Sequence, residues 1–320
     1  MREILINEIE NIKIGHAQNI EAATGCSVII CEKGAPTGVD VRGGGPASRE
    51  TELLNPRAAS ETIHAVLLSG GSAFGLDAAG GVMQYLEEHN IGFETGITKV
   101  PLVCESCIFD LGIGSKNIRP DQAMGYAACE DAQANILREG NVGAGIGATV
   151  GKFHGGVDMM KSGLGTYAVQ IGDLKVGAIV VVNALGDVVD PESGQTLAGL
   201  LNADHTGFLS TEQEFYKAYA HPKDLFTGNT TIGAVITNAK FNKSQMGKIA
   251  AMTQNGYGRT IFPVHTTADG DSIYAMSVSD IEADINVVGT LAARVMEKAI
   301  IKAVKSAKPA YGLKSAQSFM

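Results

Sequence analysis

The chain has 320 residues, of which 45% are hydrophobic and 18% are charged, and its formal net charge is −9. This length and apolar content are sufficient to bury a full core, so the composition excludes a disordered chain. Lysine and arginine form no cluster, which argues against nucleic acid and anionic membranes as partners.

The apolar residues are distributed in a way that predicts neither a membrane span nor a secretion signal. No run reaches about 18 apolar residues, and the N-terminal stretch carries acids where a signal peptide has its apolar core. The five cysteines are an odd number, which predicts reduced thiols. Cys104 and Cys107 have CxxC spacing, but apolar neighbours and the lack of a second ligand pair favour packing. We expect a cytoplasmic protein without a cofactor or a metal.

In the first 191 residues, short apolar runs alternate with glycine-rich segments. Apolar runs rich in β-branched residues predict strands, and runs with one broad apolar face predict helices. The predicted strands are 26–32, 64–71 and 174–191 (the last ending in a turn), the predicted helices are 72–90 and 120–139, and the glycine-rich segments are 37–50 and 141–166.

The second part of the chain begins with a polar segment, 192–229, which has little β signal and one short helical candidate at 210–220. It is typical of a mobile connector. Strands and helices then alternate clearly. The prediction is a strand at 230–240, a helix near 242–256, a strand at 272–279 and a long amphipathic helix at 283–306.

The tetrapeptide Gly228-Asn229-Thr230-Thr231 allows two interpretations. As local structure, it is a turn followed by a strand that begins with β-branched residues. As chemistry, the Thr230 hydroxyl can attack the carbonyl of Asn229, and water can cleave the resulting ester. The freed α-amine has an ordinary pKa of about 8. It can therefore act as general base for the hydroxyl of the same residue, which makes Thr230 a candidate N-terminal nucleophile.

Two carboxylates, Asp269 and Asp271, flank a glycine just before the strand at 272–279. Asp-Gly is a common turn pair, and the segment lacks the ligands of a calcium loop. In the functional interpretation, one carboxylate orients the amine or hydroxyl of the nucleophile, and its neighbour tunes the pKa of that carboxylate.

Asn183 and Lys152 are further candidates. Asn183 ends an apolar strand. It either caps a turn or donates its side-chain N–H to the oxyanion of acyl transfer. Lys152 lies among glycines. It is either a solvated loop lysine or a positive charge that depresses the pKa of the Thr230 amine or contacts the substrate.

Four strings in order along the chain carry a resemblance to a known family. They are LLSGGSAFGLDAAGGVMQYLEEHNIGF, VVVNALG, GNTTIGAVITNA and PVHTTADGDSIYAMS. Together they resemble the DmpA-type peptidases, which include L-aminopeptidase/D-esterases, β-peptidyl aminopeptidases and endo-type nylon oligomer hydrolases. The resemblance extends from about residue 12 to about residue 305.

The resemblance implies an α+β fold, a four-layer αββα sandwich of the DmpA and ornithine acetyltransferase type that is similar to N-terminal nucleophile hydrolases. It implies one catalytic domain over residues 1–320 that cleaves itself between Asn229 and Thr230. The products would be a large subunit of residues 1–229 and a small subunit of residues 230–320. These αβ units would assemble further, often into four copies.

The family motifs also imply roles for individual residues. Thr230 matches the nucleophile, Asn183 matches the oxyanion-side asparagine, and Asp269 and Asp271 match the pair that follows. Lys152 matches a lysine of the nylon-hydrolase branch. The characterised aminopeptidases have Gly-Ser at the cut and Ser at the position of Asp269, so the site is closer to the nylon-hydrolase branch.

The expected function is therefore hydrolysis of peptide or small amide bonds, in the manner of an aminopeptidase, through an acyl-enzyme on Thr230. Three alternatives stay open. They are endo-acting hydrolysis of aminohexanoate (nylon) oligomers at the same site, acyl transfer as in ornithine acetyltransferase, and a non-enzymatic assembly protein that stays uncleaved. The expected partners are the substrate, the cleaved fragment and further copies of the αβ unit.

Overall fold

The structure is a computed structural model that describes residues 1–220 and 228–320. In chain order its strands are β1 (Arg2–Ile4), β2 (Lys13–Asn19), β3 (Thr24–Ala35), β4 (Thr37–Val41), β5 (Ala47–Arg49), β6 (Ile63–Ser69), β7 (Phe93–Glu94), β8 (Lys99–Val100), β9 (Val103–Cys107), β10 (Thr149–Val150), β11 (Met160–Lys161), β12 (Leu164–Ile171), β13 (Leu174–Asn183), β14 (Asp187–Val189), β15 (Thr196–Ala198), β16 (Thr230–Ala239), β17 (Ile261–Phe262) and β18 (Ser272–Ile281). The α-helices are α1 (Ala78–Glu88), α2 (Gln122–Ala132), α3 (Thr211–Lys217), α4 (Lys243–Thr260) and α5 (Ile285–Ser306). Short 3-10 helices cover Ile6–Glu8, Thr51–Leu54, Ser72–Asp77, Gly143–Gly145, Ala218–Ala220 and Ala316–Ser318.

Two sheets face each other across the central core. The larger has the strand order β1-β12-β13-β16-β18-β4, and the smaller has the order β2-β3-β6-β9-β5. Alternate side chains of a strand point to one face, so each sheet can present an apolar surface to the other. The shared core contains Ile29 and Leu68 from the smaller sheet and Ile179, Ile232 and Tyr274 from the larger.

Helices cover the outer face of each sheet. The helices α4 and α5 pack on the larger sheet, where Val235 meets Val295 in one apolar cluster. The helices α1 and α2 pack on the smaller sheet, where Val28 meets Val82 and Cys129. The chain is therefore a four-layer αββα sandwich of the α+β class, and this prediction is confirmed.

The two C-terminal helices begin where the sequence places their capping residues. Asn242 accepts a hydrogen bond from the Gln245 N–H at the start of α4, and Asp284 accepts from Asn286 and Val287 at the start of α5. Such caps satisfy N–H groups that have no partner inside the helix. The buried face of α5 includes Val288, Ala292, Val295 and Ala299, as its amphipathic pattern predicts.

Two predicted helices differ from the structure at their ends. The helix predicted at 72–90 starts as a 3-10 helix and becomes α-helical only at Ala78, and at its start Gly71 and Ser72 have φ angles of 80° and 54°. The helix predicted at 120–139 begins after its capping residue Asp121 and ends at Ala132, and Asn135 beyond it has φ 45°. In both cases a positive φ is incompatible with the right-handed helix.

Two predicted loop segments contain more structure than expected. The glycine-rich segment 37–50 contributes β4 to the larger sheet and β5 to the smaller. The polar segment 192–229 contains β15 and, as predicted, a short helix, α3. Residues 221–227 of this segment lie outside the described residues. No helix in the described ranges is long and apolar enough to cross a membrane.

Three adjacent strands of the larger sheet bring the candidate residues together. In the antiparallel pair β13 and β16, Asn183 lies opposite Thr230. The strands β16 and β18 are parallel, with Ile232 beside Ser272. The C-terminal end of β13 and the N-terminal ends of β16 and β18 therefore meet at one edge of the sheet.

Candidate active site

Thr230 is the first residue of β16 and is 4% exposed. Its side-chain Oγ1 lies against the carbonyl oxygen of Asn229, the residue before it. The same carbonyl oxygen accepts the backbone N–H of Gly270 at 2.9 Å. A hydroxyl and a fixed hydrogen-bond donor therefore converge on one peptide carbonyl.

The residues before Thr230 pair with the loop that precedes β18. The N–H of Asn229 donates to the carbonyl oxygen of Ala268 at 3.3 Å, and Asn229 and Asp269 form a parallel bridge. The carbonyl oxygen of Gly228 accepts a hydrogen bond from Lys152 Nζ at 3.4 Å. The peptide unit between Gly228 and Asn229, which precedes the bond to Thr230, is thus held through both its N–H and its carbonyl.

Asp271 ties the start of β16 to the start of β18. Its Oδ1 accepts the Thr231 N–H at 2.7 Å, and its Oδ2 accepts the His265 N–H at 3.1 Å. The Nδ1 atom of His265 lies 2.9 Å from the same Oδ2. The carboxylate is 1% exposed, so these contacts replace the water that it would otherwise bind.

Asp269 is held by one neighbour. Its Oδ2 accepts the Thr266 N–H at 3.1 Å and also the Thr266 hydroxyl. Burial, with the negative charge of Asp271 second, raises the pKa of Asp269 to about 6. This carboxyl therefore titrates in the range where a general base is useful.

Lys152 is a buried cation at the same place. Its Nζ donates to the carbonyl oxygen of Asn183 at 2.9 Å as well as to Gly228. Burial lowers the pKa of Lys152 to about 7, and the charges of Asp269, Asp110 and Asp271 partly oppose this decrease. The lysine is therefore not the solvated loop residue of the simpler interpretation.

Asn183 is fixed by hydrogen bonds at both ends of its amide. Its Oδ1 accepts the Thr149 N–H at 3.1 Å and the Thr149 hydroxyl at 3.3 Å. Its Nδ2 donates to the carbonyl oxygen of Phe109 at 3.1 Å. In the uncleaved chain, the donor to the Asn229 carbonyl oxygen is the backbone N–H of Gly270. Asn183 lies opposite Thr230 in the pairing of β13 with β16.

A cavity of about 400 Å³ opens beside these residues. Among the residues that line it, Asp110 is 3% exposed, and its two oxygens accept from Thr24 Oγ1 and Gly71 N–H, both at 2.7 Å. Burial raises the pKa of Asp110. The lining residues are Phe109, Asp110, Gly112, Ile113, Thr149, Lys152, Gly155, Gly156, Met159 and Gly228.

The glycines of the segment 43–45 allow the loop 266–271 to lie close to the backbone. The Gly44 N–H donates to the carbonyl oxygen of Thr266 at 3.2 Å, and the Gly45 N–H donates to the carbonyl oxygen of Asp269 at 2.8 Å. A Cβ atom on Gly43 would lie 2.3 Å from the Asp271 nitrogen. Only glycine fits this approach.

The structure thus brings Thr230, Asn229, Asn183, Asp269, Asp271 and Lys152 to one place, and it adds residues that sequence reasoning missed. The sequence indicates Gly270 only as the turn residue between two aspartates. Phe109 and Asp110 follow β9 and belong to no sequence motif. Their proximity to Lys152 and Gly228 depends on pairing between strands that are far apart in the sequence. In the described part of the chain, no group of three or more His, Cys, Asp and Glu side chains is arranged to hold a metal ion.

The four-layer αββα sandwich is the layer order of the N-terminal nucleophile hydrolase folds. The family model of Peptidase family S58 matches residues 5–318, and the chain belongs to this family. It is a hydrolase that acts on amide bonds.

Two relatives align with nearly the whole chain by sequence. An uncharacterized aminopeptidase of Mycobacterium leprae is 35% identical, over 96% of this chain and 92% of the relative. A 6-aminohexanoate-oligomer endohydrolase of Paenarthrobacter ureafaciens is 31% identical, over 95% of this chain and 87% of the relative.

Solved structures show the same fold at lower identity. The L-aminopeptidase D-Ala-esterase/amidase from Ochrobactrum anthropi, described as a variant of the Ntn hydrolase fold, has a TM-score of 0.71 and is 16% identical. A Burkholderia sp. beta-aminopeptidase has a TM-score of 0.66 and is 17% identical. Each comparison covers 94% of this chain and 86% of the other.

Proposed function

We propose that this chain cleaves itself between Asn229 and Thr230, and that the freed Thr230 then hydrolyses peptide or small amide bonds through an acyl-enzyme. The observation that carries the proposal is the convergence at the Asn229 carbonyl oxygen. Thr230 Oγ1 lies against this oxygen, and the Gly270 N–H donates to it at 2.9 Å. A nucleophile beside a carbonyl with a preorganised donor is the arrangement that acyl transfer requires.

Self-cleavage proceeds in two steps. Thr230 Oγ1 attacks the carbonyl carbon of Asn229, and the Gly270 N–H stabilises the negative charge that develops on the oxygen. The C–N bond breaks, and the hydroxyl proton ends on the Thr230 nitrogen, which leaves an ester between Asn229 and Thr230. Water hydrolyses this ester, giving an Asn229 carboxyl group and a free Thr230 α-amine.

Turnover repeats the same chemistry on a substrate. The Thr230 α-amine accepts the proton of its own hydroxyl as Oγ1 attacks the substrate carbonyl, and then returns the proton to the departing amine. Water resolves the acyl-enzyme. In this state the Asn183 side-chain amide helps to bind the oxyanion, a role supported by its position opposite Thr230 in the ladder.

The charged residues set the proton affinity of the nucleophile. Asp269 and Asp271 orient the Thr230 amine, which is supported by the 2.7 Å hydrogen bond from the adjacent Thr231 N–H to Asp271. Lys152 places a positive charge next to the scissile peptide, which depresses the pKa of the amine or contacts the substrate.

The two fragments, residues 1–229 and 230–320, remain one catalytic domain after cleavage. The strand β16 of the small fragment pairs with β13 of the large fragment over eight residue pairs, from Val176–Thr237 to Asn183–Thr230. Cutting at the start of β16 leaves this ladder and its apolar surroundings intact.

We further propose assembly of the αβ units into a homo-oligomer of four copies. The proposed location is the cytoplasm, which the five buried free thiols support.

The substrate class has two candidates. Peptides cleaved in the manner of an aminopeptidase come first, because the relatives at 35% identity carry that name. Aminohexanoate oligomers come second, because the relative at 31% identity is named as their endohydrolase and because a buried lysine, Lys152, donates to the Gly228 carbonyl oxygen, one peptide unit before the scissile bond.

Two measurements on the purified protein test the proposal. One is mass spectrometry of its fragments, and the other is the hydrolysis of amino-acid p-nitroanilides, β-peptides and linear aminohexanoate oligomers. We expect two fragments, the smaller beginning at Thr230, and release of product from part of the panel. Thr230→Ala should stay a single chain without activity. Thr237→Ala, a buried threonine at the other end of the same strand, is the matched control. Amide hydrolysis by folded Thr230→Ala protein would contradict the mechanism.

A further inference from the structure

Two consecutive residues, His265 and Thr266, hold the two carboxylates of the candidate site. The backbone N–H and the ring Nδ1 of His265 lie 3.1 and 2.9 Å from Asp271 Oδ2. The backbone N–H of Thr266 lies 3.1 Å from Asp269 Oδ2, and the Thr266 hydroxyl donates to the same oxygen. Each aspartate is 1% exposed, so these four donors replace water that the carboxylates have lost.

His265 reaches Asp271 from a left-handed backbone conformation. Its φ is 60°, a value that residues other than glycine rarely adopt and that persists where the surrounding contacts enforce it. Asp271 also accepts the Thr231 N–H at 2.7 Å, so the carboxylate is an acceptor and the ring proton is on Nδ1. Within residues 1–220 and 228–320, the buried Nε2 of His265 has no hydrogen-bond partner, so the polar contact of the ring is with Asp271.

The Asp271 carboxylate restrains the peptide unit that follows the candidate nucleophile. Its Oδ1 accepts the N–H of Thr231, whose nitrogen is bonded to the carbonyl carbon of Thr230. After self-cleavage the Thr230 nitrogen is a free amine, so the chain continues from the nucleophile only on the Thr231 side. Because His265 fixes Oδ2, it opposes rotation of the carboxylate and keeps Oδ1 on the Thr231 N–H. A nucleophile displaced by about 1 Å reacts about 100-fold more slowly, so this restraint bears directly on the rate.

Thr266 acts on the other carboxylate. Its Oγ1 accepts the Ala268 N–H at 3.2 Å, which leaves the proton of the hydroxyl for Asp269. Burial and then the charge of Asp271 raise the pKa of Asp269 to about 6, while the two hydrogen bonds from Thr266 and the charge of Lys152 oppose this increase. Thr266 therefore extends the pH range in which Asp269 is ionised.

From these contacts we propose that His265 and Thr266 are positioning residues of the Thr230 site. His265 holds Asp271 on the peptide unit after the nucleophile, and Thr266 holds Asp269 beside Asn229, with which it forms a parallel bridge. Both residues act through a carboxylate and not on the reacting atoms. The inference rests on the proposed function, because it takes Thr230 as the nucleophile.

Three substitutions of His265 separate its hydrogen bond from the packing of its ring, which is stacked with Tyr257 at 6.0 Å between centroids. His265→Asn keeps a donor as many bonds from the backbone as Nδ1, and asparagine tolerates a positive φ. His265→Phe keeps a ring without the donor, and His265→Gly has neither.

The rate of self-cleavage, followed by mass spectrometry of freshly synthesised chain, measures the effect of these substitutions. We expect it to fall less than about threefold in His265→Asn and at least about tenfold in His265→Phe and His265→Gly. In the processed enzymes, kcat for leucine p-nitroanilide should follow the same order, with KM changed less than about twofold.

Two substitutions of Thr266 test the second carboxylate through the pH profile of self-cleavage. Thr266→Val keeps the shape of the side chain and the backbone N–H but loses the hydroxyl, whereas Thr266→Ser keeps the hydroxyl. The lost hydrogen bond favours the ionised form of Asp269, so its removal should raise the pKa of this carboxyl. We expect Thr266→Val to move the acid limb of the profile to higher pH by about one unit, and Thr266→Ser to leave it in place. Asp271 and Lys152, whose charges act on Asp269, are the same in both variants.

Each assigned role has an outcome that overturns it. A wild-type rate in His265→Phe would show that the ring acts by packing alone. A rate in His265→Asn that is no higher than in His265→Gly also overturns the role of His265. This second comparison decides if circular dichroism shows that His265→Phe does not fold, because both variants lack the ring. An unmoved acid limb in Thr266→Val overturns the role of Thr266.

The wild-type chain tests the proposed function separately. A folded wild-type chain that never cleaves contradicts the proposed function, and the inference falls with it. A wild-type chain that cleaves but hydrolyses neither leucine p-nitroanilide nor aminohexanoate oligomers contradicts the proposed turnover. In that case the self-cleavage rates and their pH profiles still decide the inference.

Discussion

The backbone N–H of Gly270 donates to the carbonyl oxygen of Asn229 at 2.9 Å, directly before the candidate nucleophile. Because Gly270 lies between Asp269 and Asp271, a single loop supplies both carboxylates and the donor. A Cβ atom on Gly270 would lie 2.8 Å from Thr230 Oγ1 and 2.7 Å from the Gly45 carbonyl oxygen. The glycine therefore lets the donor approach the carbonyl without displacing the hydroxyl.

Gly270→Ala should slow self-cleavage by about 100-fold or more, because the added methyl group displaces either the donor or the nucleophile. Mass spectrometry of freshly synthesised chain, sampled over time, gives the rate. Gly258→Ala in α4 is the matched control, since a Cβ atom there meets nothing within 4 Å. Wild-type rates in the Gly270→Ala chain would rule out the assigned oxyanion donor.

Self-cleavage should depend on pH through two coupled groups. Burial raises the pKa of Asp269 to about 6 and lowers the pKa of Lys152 to about 7. Asp269 is ionised above its pKa, and Lys152 is charged below its own, so both are charged only between these values. We expect a bell-shaped rate profile with its maximum between about pH 6 and about pH 7.

Lys152→Met should remove the alkaline limb of that profile. Because the charge of Lys152 lowers the pKa of Asp269, its loss should also move the acid limb to higher pH. Fragment formation by freshly synthesised chain, followed from about pH 5 to about pH 9, measures both limbs. An unchanged alkaline limb would show that the lysine does not titrate in the site.

The sequence predicts the C-terminal third of the fold well because its local signals agree with its packing. The strand predicted at 230–240 is Thr230–Ala239, and the helix predicted at 283–306 is Ile285–Ser306. The start of α1 could not be predicted, because Ser72 has φ 54° and its N–H donates to the carbonyl oxygen of Ile108, a residue distant in sequence, at 2.9 Å. Local periodicity carries no information about such a contact.

The candidate site likewise contains some residues that the sequence predicts and others that it does not. Thr230, Asp269 and Asp271 could be proposed because their residue types match a chemistry and lie in recognisable strings. The contact between Gly228 and Phe109 could not, since the two residues are 119 positions apart (228 − 109) and only the finished fold brings them together. The donor role of Gly270 was equally hidden, because a backbone N–H has no sequence signature.

Lys161→Met should destabilise the fold. Lys161 is fully buried, and its Nζ donates to the carbonyl oxygens of Gly145 at 2.9 Å and Ala148 at 3.0 Å, and to that of Ser162. Leaving these carbonyls without their donor should lower the free energy of unfolding by about 3 kcal/mol. Denaturant unfolding measures it, with the exposed Lys248→Met as control.

The pH dependence of this difference has a definite sign. Burial lowers the pKa of Lys161 from 10.5 to about 7. Between these values the unfolded chain holds a proton that the folded chain has released, so the contribution of Lys161 to stability increases with pH and is lost as pH falls through about 7. The difference between wild type and Lys161→Met should therefore grow from pH 7 toward pH 10.5. A difference that shrinks over this window would contradict the assigned shift.

Gly228→Ala should slow self-cleavage at least about tenfold, because the new methyl group would lie 2.2 Å from Cγ of Phe109. The double variant Gly228→Ala/Phe109→Ala should recover most of the rate, since removing the ring makes room for the methyl group. The part that is not recovered should correspond to the backbone strain of a non-glycine residue at φ 65°, about 1 kcal/mol.

The rates of the wild type, the two single variants and the double variant form a cycle whose coupling energy isolates the contact between residues 109 and 228. Gly194→Ala is the matched control, because Gly194 has φ 72° and a Cβ atom there meets nothing within 4 Å. It carries the same kind of backbone strain, but in the turn between β14 and β15 and outside the candidate site, so it should leave the cleavage rate unchanged. A coupling energy near zero would mean that Phe109 does not set the requirement for glycine.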